Sequence, residues 1–411
     1  MQLPCLTRDL PGIGGTIRQR PDDFLVEEIP LYEPSGQGEH VYCEIQKTGL
    51  STFAAVRQIA SALGISPRDI GYAGLKDTHA ITRQTLSITG VDEAAVSNLR
   101  LDGIAVLWCA RHGNKLRLGH LKANRFVIRI RDVNPTDVVR LAPIVDVLTR
   151  VGMPNYFGQQ RFGRRDDNDL LGAALIRGDC QGLLDLLLGN PDPARDDPDS
   201  LASRQAYARG DYREAMRRLP RRAHVERVAL QKLIRGAGPA SAVAAIDHDL
   251  KRLWISAAQS RAFNAVVAHR IDRLNRLMPG DLAWKHDNGA VFLVEDAAAE
   301  QPRCDRFEIS PSGPLLGYRM TPATGRPGEI ESRVFAEMGL SAEAFRTSAG
   351  LKVRGARRPL RVRPENVSLS AGVDEHGPHI TAAFTLPPGA FATVLLRELM
   401  KTDPPPADGD L

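Results

Sequence analysis

Residues 74–80 (GLKDTHA) bring a glycine, a cation, a carboxylate, a hydroxyl and an imidazole into one short stretch. Asp77 in this stretch is open to four interpretations: a turn residue, a metal ligand, a general base or a nucleophile. A turn or cap carboxylate is the commonest role for an aspartate in such a context. The rest of the sequence has to separate these alternatives.

A metal site built on Asp77 and His79 is not favoured. Such a site needs three or four converging ligands, and the chain contains no HxH, HxxxH, HExxH or CxxC pattern. No GxSxG nucleophile elbow is present. Residues 12–15 (GIGG) do not match GxGxxG and follow no strand pattern, so a dinucleotide site is not indicated either. We expect no metal.

Length and composition bound the class of protein. The chain has 411 residues, more than one hydrophobic core usually serves, so two domains are expected. Its five cysteines are scattered, which is typical of reduced thiols in the cytoplasm. The first residues do not resemble a signal peptide, and no apolar run approaches the roughly 18 residues of a transmembrane helix. We expect a cytoplasmic protein with no membrane partner.

The charge balance suits a polyanionic partner. Net charge is +5, the sequence pI is about 9.0, and the cations are 45 arginines against 9 lysines. A guanidinium binds phosphate through two parallel hydrogen bonds, which is compatible with RNA binding. A coding bias that also enriches alanine and glycine explains the same composition equally well.

Periodicity predicts the elements that must position Asp77. Strand patterns occur at 23–28, 40–47, 84–89, 104–111, 125–131, 367–371 and 379–386, and helical patterns cover 51–63, 137–151 and 254–275. Residues 189–212 are rich in Asp, Pro and Arg and predict an exposed loop or the edge of a small lobe, and 350–364 resemble a linker. Strands interrupted by helices without a βαβ rhythm indicate an α+β fold with a largely antiparallel sheet.

Six motifs in one order resemble the TruD family of tRNA pseudouridine synthases. They are RPDDFLVEE (20–28), YAGLKDTHAITRQ (72–84), KLRLGHLKANRF (115–126), PNYFGQQRFG (154–163), WISAAQSRAFN (254–264) and PPGAFATVLLREL (387–399). The set spans almost the whole chain and is far more specific than a single KD pair. The resemblance implies conversion of a uridine in tRNA, characteristically uridine 13, to pseudouridine. This reaction needs neither redox change nor an external group, so no cofactor is expected.

The resemblance also implies roles for individual residues. Asp77 matches the family's catalytic aspartate, and a carboxylate that is ionised at neutral pH can act as nucleophile or base. Asn124 and Phe126 match the family's KxNxF positions, for substrate binding and for stacking of the flipped base. Phe24 and Phe391 match two further positions close to the substrate. By periodicity alone, Phe126 fits the apolar face of a strand, and the other two phenylalanines fit a core.

Some cations have expected roles of their own. The family often has a lysine shortly before the DF pair, and Arg18 stands there in this chain. Arginine does not deprotonate in practice, so we expect electrostatic support from Arg18 and no proton transfer. Arg161 in the PNYFGQQRFG motif has a structural or an RNA-backbone role, the structural one being favoured. Arg217 and Arg218, in a basic stretch over 212–236, either follow tRNA phosphates or lie on a solvated helix face.

The resemblance implies a discontinuous catalytic domain with an insertion. Residues 1–151 and 365–402 would form an α+β pseudouridine-synthase-like domain, 152–364 an inserted α/β TRUD domain, and 403–411 a disordered tail. Nothing in the sequence demands more than a monomer. Two rival functions are a non-catalytic RNA-binding protein of the same fold and a metal-dependent hydrolase that uses Asp77 with His79.

Overall fold

Contacts divide the chain into two units, each of which has its own core. A computed structural model describes residues 3–346 and 350–403. Pro4–Asn155 and the residues from Arg361 onward form a discontinuous unit, and Tyr156–Leu360, together with Leu3, form an inserted unit. Among the described residues, no helix is both long enough and apolar enough to cross a membrane. The expected tail at 403–411 lies outside the described residues except for Asp403.

The helices and strands of the two units are numbered here in chain order. The first part of the discontinuous unit contains strands β1 (Phe24–Pro30), β2 (His40–Thr48), β3 (Ile70–Tyr72), β4 (Ile81–Thr89), β5 (Ile104–His112), β6 (Leu121–Arg131) and β7 (Met153–Pro154), and helices α1 (Thr52–Leu63), α2 (Glu93–Ser97) and α3 (Ala142–Val151). The inserted unit contains helices α4 (Asn168–Arg177), α5 (Cys180–Leu188), α6 (Pro198–Ala208), α7 (Tyr212–Arg218), α8 (His224–Ile234), α9 (Pro239–Ala244), α10 (His248–His269), α11 (Ala297–Asp305) and α12 (Gly325–Glu337), and strands β8 (Leu282–Lys285), β9 (Val291–Leu293), β10 (Ile309–Leu315) and β11 (Ala356–Pro359). The last part of the discontinuous unit contains β12 (Arg361–Val362), β13 (Glu365–Asp374), β14 (Gly377–Leu386) and α13 (Ala392–Met400).

One large sheet organises the discontinuous unit. Its strand order is β13-β14-β6-β1-β4-β2-β5, with β3 paired to β4. All pairs are antiparallel except β1 with β4, so the predicted α+β class with a largely antiparallel sheet is confirmed. The sheet joins the two parts of this unit, because residues 379–386 of β14 pair with β6. The short strands β7 and β12 pair where the chain leaves this unit and returns to it.

Helix α1 packs on one face of this sheet and forms a core with β2 and β4. Ser51 caps its N-terminus by accepting a hydrogen bond from Ala54 N–H, and Gly64 ends it in the left-handed conformation at φ +67°, as the sequence predicts. Val56 and Ile59 on α1 are buried with Ile45 and Leu86 of the sheet. The helix therefore has a fixed position beside the β3–β4 connection, which carries Asp77.

The inserted unit is mainly helical and also contains a small antiparallel sheet of order β11-β10-β8-β9. The prediction of an exposed loop over 189–212 is wrong for its second half, which forms α6 and buries Ala206 and Tyr207. Asp197 caps this helix and Pro198 occupies its first turn, a start signal that the Asp- and Pro-rich composition conceals. The expected linker at 350–364 instead contains strands β11 and β12.

Candidate active site

The loop of residues 73–80, between β3 and β4, presents the carboxylate of Asp77. Its Oδ2 atom accepts a hydrogen bond from Arg18 Nη2 at 2.6 Å, and its Oδ1 atom accepts one from the backbone N–H of His79 at 3.1 Å. The side chain of Asp77 is 14% exposed. Asp77 is therefore held at both oxygens and still reaches the surface of its unit.

Arg18 adopts an unusual conformation to reach Asp77. Its φ is +61°, a left-handed value that costs a non-glycine residue about 1–2 kcal/mol. Its guanidinium lies 4.4 Å from the centre of the Phe24 ring, and its side chain is 10% exposed. Strain of this kind persists where the surroundings compensate for it, and such residues cluster at functional sites. The ring of Phe24 thus supports the arginine that contacts Asp77.

Buried polar groups anchor the same loop from below. Lys47, at the end of β2, is fully buried and donates through Nζ to the backbone oxygens of Leu50 and Asp77, the latter at 3.0 Å. Lys76 donates its backbone N–H to Thr52 Oγ1 at 3.0 Å and pairs through Nζ with Glu28 Oε2 at 2.6 Å. Two successive loop residues are therefore fixed by buried groups from β1, β2 and α1.

The substrate-binding residues expected from the KxNxF motif lie on β6, on one face of the sheet. Asn124 is opposite Glu28, and Phe126 is opposite Val26 on β1 and Phe384 on β14. The Oδ1 atom of Asn124 is buried and accepts no hydrogen bond from any group in the described part of the chain. An unsatisfied buried acceptor costs about 1–3 kcal/mol, so this atom is well suited to accept a hydrogen bond from a ligand.

The phenylalanines expected at the substrate are largely buried. Phe24 is 2% exposed and Phe126 is 8% exposed. Phe126 stacks on Phe384 with ring centres 5.4 Å apart and meets Phe24 edge-on at 6.5 Å. Both rings thus pack as core residues. Phe391 is half-buried and immediately precedes α13 in the same unit.

Burial changes the protonation behaviour of the loop anchors. It lowers the pKa of the Lys47 ammonium to about 8, and the negative charge of Asp77 acts in the opposite direction. The positive charge of Lys76 lowers the pKa of Lys47 further. The lysine under the loop therefore changes its charge within a pH range that is accessible to assays.

Comparisons with known proteins decide the family. The model of tRNA pseudouridine synthase D (TruD) matches residues 1–399. The chain is 46% identical to tRNA pseudouridine synthase D of Geobacter sulfurreducens, over 96% of each sequence, and 45% identical to that of Geobacter sp. strain M21, over 97% of this chain and 99% of the relative. A solved structure from Methanosarcina mazei that carries the same family name superposes with a TM-score of 0.82 at 29% identity, covering 96% of this chain and 95% of that one.

The chain belongs to the TruD family. It is therefore an enzyme of the isomerase class, a synthase of pseudouridine in tRNA, and the family resemblance found in the sequence is confirmed. No group of three or more His, Cys, Asp or Glu side chains able to hold a metal ion occurs among the described residues.

Two TruD motifs have clear structural roles in the inserted unit. In WISAAQSRAFN, Arg261 pairs with Asp166 and Asp169, and its guanidinium lies 3.8 Å from the centre of the Phe162 ring. Asn264 of the same motif exchanges two hydrogen bonds with the backbone of Phe157, at 2.8 and 3.0 Å. These contacts join α10 to the segment that begins the insertion.

The candidate RNA-binding arginines also lie in the inserted unit. The guanidinium of Arg161 is 5.6 Å from the centre of the Phe157 ring, and burial lowers its pKa. Arg217 and Arg218 are exposed on α7, and both pair with Glu214. Exposed pairs of this kind contribute little to stability, so they leave the arginines available to exchange Glu214 for a phosphate.

Sequence reasoning missed Glu28, Lys47, Thr52 and Lys76 as loop anchors. Strand alternation carries a signal for two of them. Glu28 occurs in phase with the buried Phe24 and Val26, and Lys47 occurs in phase with Val41, Cys43 and Ile45. A charged residue at a strand position that faces the core requires a partner, and the Asp77 loop supplies one partner to each of these two residues.

Proposed function

We propose that this TruD enzyme converts uridine 13 of tRNA to pseudouridine and that Asp77 is its catalytic carboxylate. The single observation that carries the proposal is the ion pair of Asp77 with Arg18, on a loop that buried groups hold in place. A carboxylate fixed in this way needs little reorganisation when a substrate arrives.

The reaction balances without a redox partner. The N1–C1′ bond of the uridine breaks, the uracil turns, a C5–C1′ bond forms, and the proton lost from C5 is matched by one gained at N1. Asp77 acts either as a nucleophile at C1′ or as a base that removes a sugar proton to give a glycal-type intermediate. In both routes its charge changes, and the fixed positive charge of Arg18 stabilises the carboxylate form.

The remaining residues would hold the flipped base. Asn124 Oδ1 is suited to accept the imide N–H of uracil, because it has no other donor among the described groups. Phe126 is proposed as a contact of the base from its motif position, and its ring, which is 8% exposed and stacks on Phe384, would meet the base through the part that stays accessible. Phe24 would act through Arg18, which lies over its ring. Phe391 is proposed as a further substrate contact from its motif position alone.

The two units would divide the work between catalysis and RNA binding. We assign catalysis to the discontinuous unit, which contains Asp77, and the role of the TRUD domain to the inserted unit. Arg161, Arg217 and Arg218 are its candidate contacts to tRNA phosphates. Since the substrate is tRNA, the proposed compartment is the cytoplasm.

Mapping the product on defined transcripts tests this proposal. Unmodified tRNA transcripts with uridine at position 13 are incubated with the enzyme, and pseudouridine is located by carbodiimide-blocked reverse transcription. We expect one stop, at position 13, that disappears when the transcript has cytidine there. A stop elsewhere would contradict the position, and no stop on any transcript would contradict the activity. Undiminished product in EDTA is expected, and loss in EDTA would favour the metal-dependent rival.

A further inference from the structure

Lys47 is fully buried and lies outside the six motifs that resemble the family, yet its ammonium group contacts the residue proposed to be catalytic. Its Nζ atom donates to the backbone oxygen of Asp77 at 3.0 Å and also to that of Leu50. Taking an ammonium group out of water is costly unless it is paired, so a buried lysine at this place requires a reason.

The bonds made by Lys47 connect strand β2 to the middle of the Asp77 loop. Leu50, between β2 and α1, and Asp77, between β3 and β4, are far apart in sequence, and the single ammonium group joins their carbonyls. Lys76 is fixed independently, through Thr52 on α1. Lys47 is thus the described side chain that holds the backbone of Asp77 itself, while Arg18 holds its carboxylate.

Charge supports the same role. The groups that face Lys47 are Asp77 and Lys76 on the loop, and their charges act on it in opposite directions. Lys76 is paired with Glu28, and Asp77 with Arg18. Lys47 is therefore a second cation next to Asp77, and its complete burial excludes a proton transfer from it to the reacting atoms of a substrate.

We propose that Lys47 is a positioning residue for Asp77, which fixes the loop backbone and adds a positive charge beneath the proposed catalytic carboxylate. This inference rests on the proposed function. A displacement of about 1 Å in a catalytic group can cost about 100-fold in rate. Loss of Lys47 is therefore expected to lower the rate of the chemical step strongly and to leave tRNA binding unchanged.

The test compares Lys47→Met with Lys47→Arg and with the control Lys352→Met, which removes an exposed lysine of the inserted unit. Single-turnover rate constants at saturating enzyme and dissociation constants for tRNA are measured for each. We expect a loss of about 100-fold in rate for Lys47→Met, a partial recovery in Lys47→Arg and no change in the control. Equal rates for Lys47→Met and wild type would overturn the proposal.

A pH profile separates positioning of Asp77 from general structural support. Burial lowers the pKa of Lys47 to about 8, so its charge is lost as pH rises from about 7 to about 9. The single-turnover rate of wild type should fall over this range, and the fall should be absent in Lys47→Arg, which stays charged. A wild-type rate that does not fall, or the same fall in Lys47→Arg, would overturn the proposal even if Lys47→Met fails to fold.

The same experiments distinguish the two proposals. If wild type forms no pseudouridine on any transcript, the proposed function fails and this inference fails with it. If wild type is active and Lys47→Met is equally active, only the role of Lys47 is overturned.

Discussion

Two adjacent glutamates on β1 provide a matched test of how the Asp77 loop is held. Glu28 pairs with Lys76 at 2.6 Å, and the two side chains are 1% and 4% exposed. Glu27 is on the other side of the strand and pairs with the exposed residues Arg83 and Arg125. The substitutions Glu28→Gln and Glu27→Gln remove the same charge from neighbouring positions.

The structure predicts that the two substitutions lower the free energy of unfolding by very different amounts. Removing one partner of a buried ion pair costs about 3–5 kcal/mol, because the other charge is left uncompensated. Removing an exposed partner costs about 0–1 kcal/mol. The loss of unfolding free energy for Glu28→Gln should be about 3 kcal/mol, at the low end of this range, since the glutamine retains an acceptor for the Thr85 N–H that Glu28 now binds at 3.2 Å. For a domain of about 150–250 residues, each kcal/mol shifts the melting temperature by about 2–4 °C. The expected decrease for Glu28→Gln is then about 6–12 °C.

Thermal unfolding followed by circular dichroism measures both variants at low and high salt. We expect a large decrease for Glu28→Gln that salt hardly changes, and a small one for Glu27→Gln that salt reduces further. The reasoning is refuted if the two variants melt within about 2 °C of each other, because the buried pair would then contribute no more than the exposed one.

Two further predictions concern acid stability and tRNA binding. Asp374 accepts two hydrogen bonds from Arg131, which hold its pKa far below its usual value of 3.8. The ion pair stabilises the folded protein fully at pH values above the usual pKa, and this stabilisation is lost as pH falls through the lowered pKa. Asp374→Asn should therefore lower the melting temperature at pH 7 and melt like wild type at strongly acidic pH. Equal melting curves of the variant and wild type at pH 7 would contradict this prediction. Replacing Arg217 and Arg218 by Ala should reduce the slope of log binding constant against log salt concentration, for tRNA, by about 0.7–0.9 per lost phosphate contact. The control Arg252→Ala, at another exposed ion pair, should leave this slope unchanged. An unchanged slope after replacement of Arg217 and Arg218 would assign these two arginines to a solvated face.

Local alternation predicts the strands of the large sheet except the three-residue β3, and local helix signals predict α1. The alternation over 125–131 puts Phe126, Ile128 and Ile130 on one face, and all three are buried. Helix α6 was missed because its start signal lies within a stretch of Asp and Pro that also predicts a loop. Local sequence patterns report only the backbone preference of a short segment, so they do not decide between a loop and a helix start when the same residues favour both.

The candidate site was only partly predictable, for a different reason. Asp77 and Arg18 were named from motifs 59 residues apart, and the structure puts their side chains in contact. The lysine and threonine that anchor the loop could not be assigned, because their partners are backbone groups that any residue carries. When a side chain bonds to a backbone group, the residue that supplies this group can be of any type, so the sequence does not reveal the contact.

The most direct test of the account is the single-turnover rate of Asp77→Asn, measured with its affinity for tRNA. Asp102→Asn, an exposed aspartate of the same unit, is the control. If Asp77 is the catalytic carboxylate, Asp77→Asn forms no detectable pseudouridine at position 13 and binds tRNA as tightly as wild type, while Asp102→Asn is fully active. Formation of pseudouridine by Asp77→Asn at the wild-type rate would contradict the account.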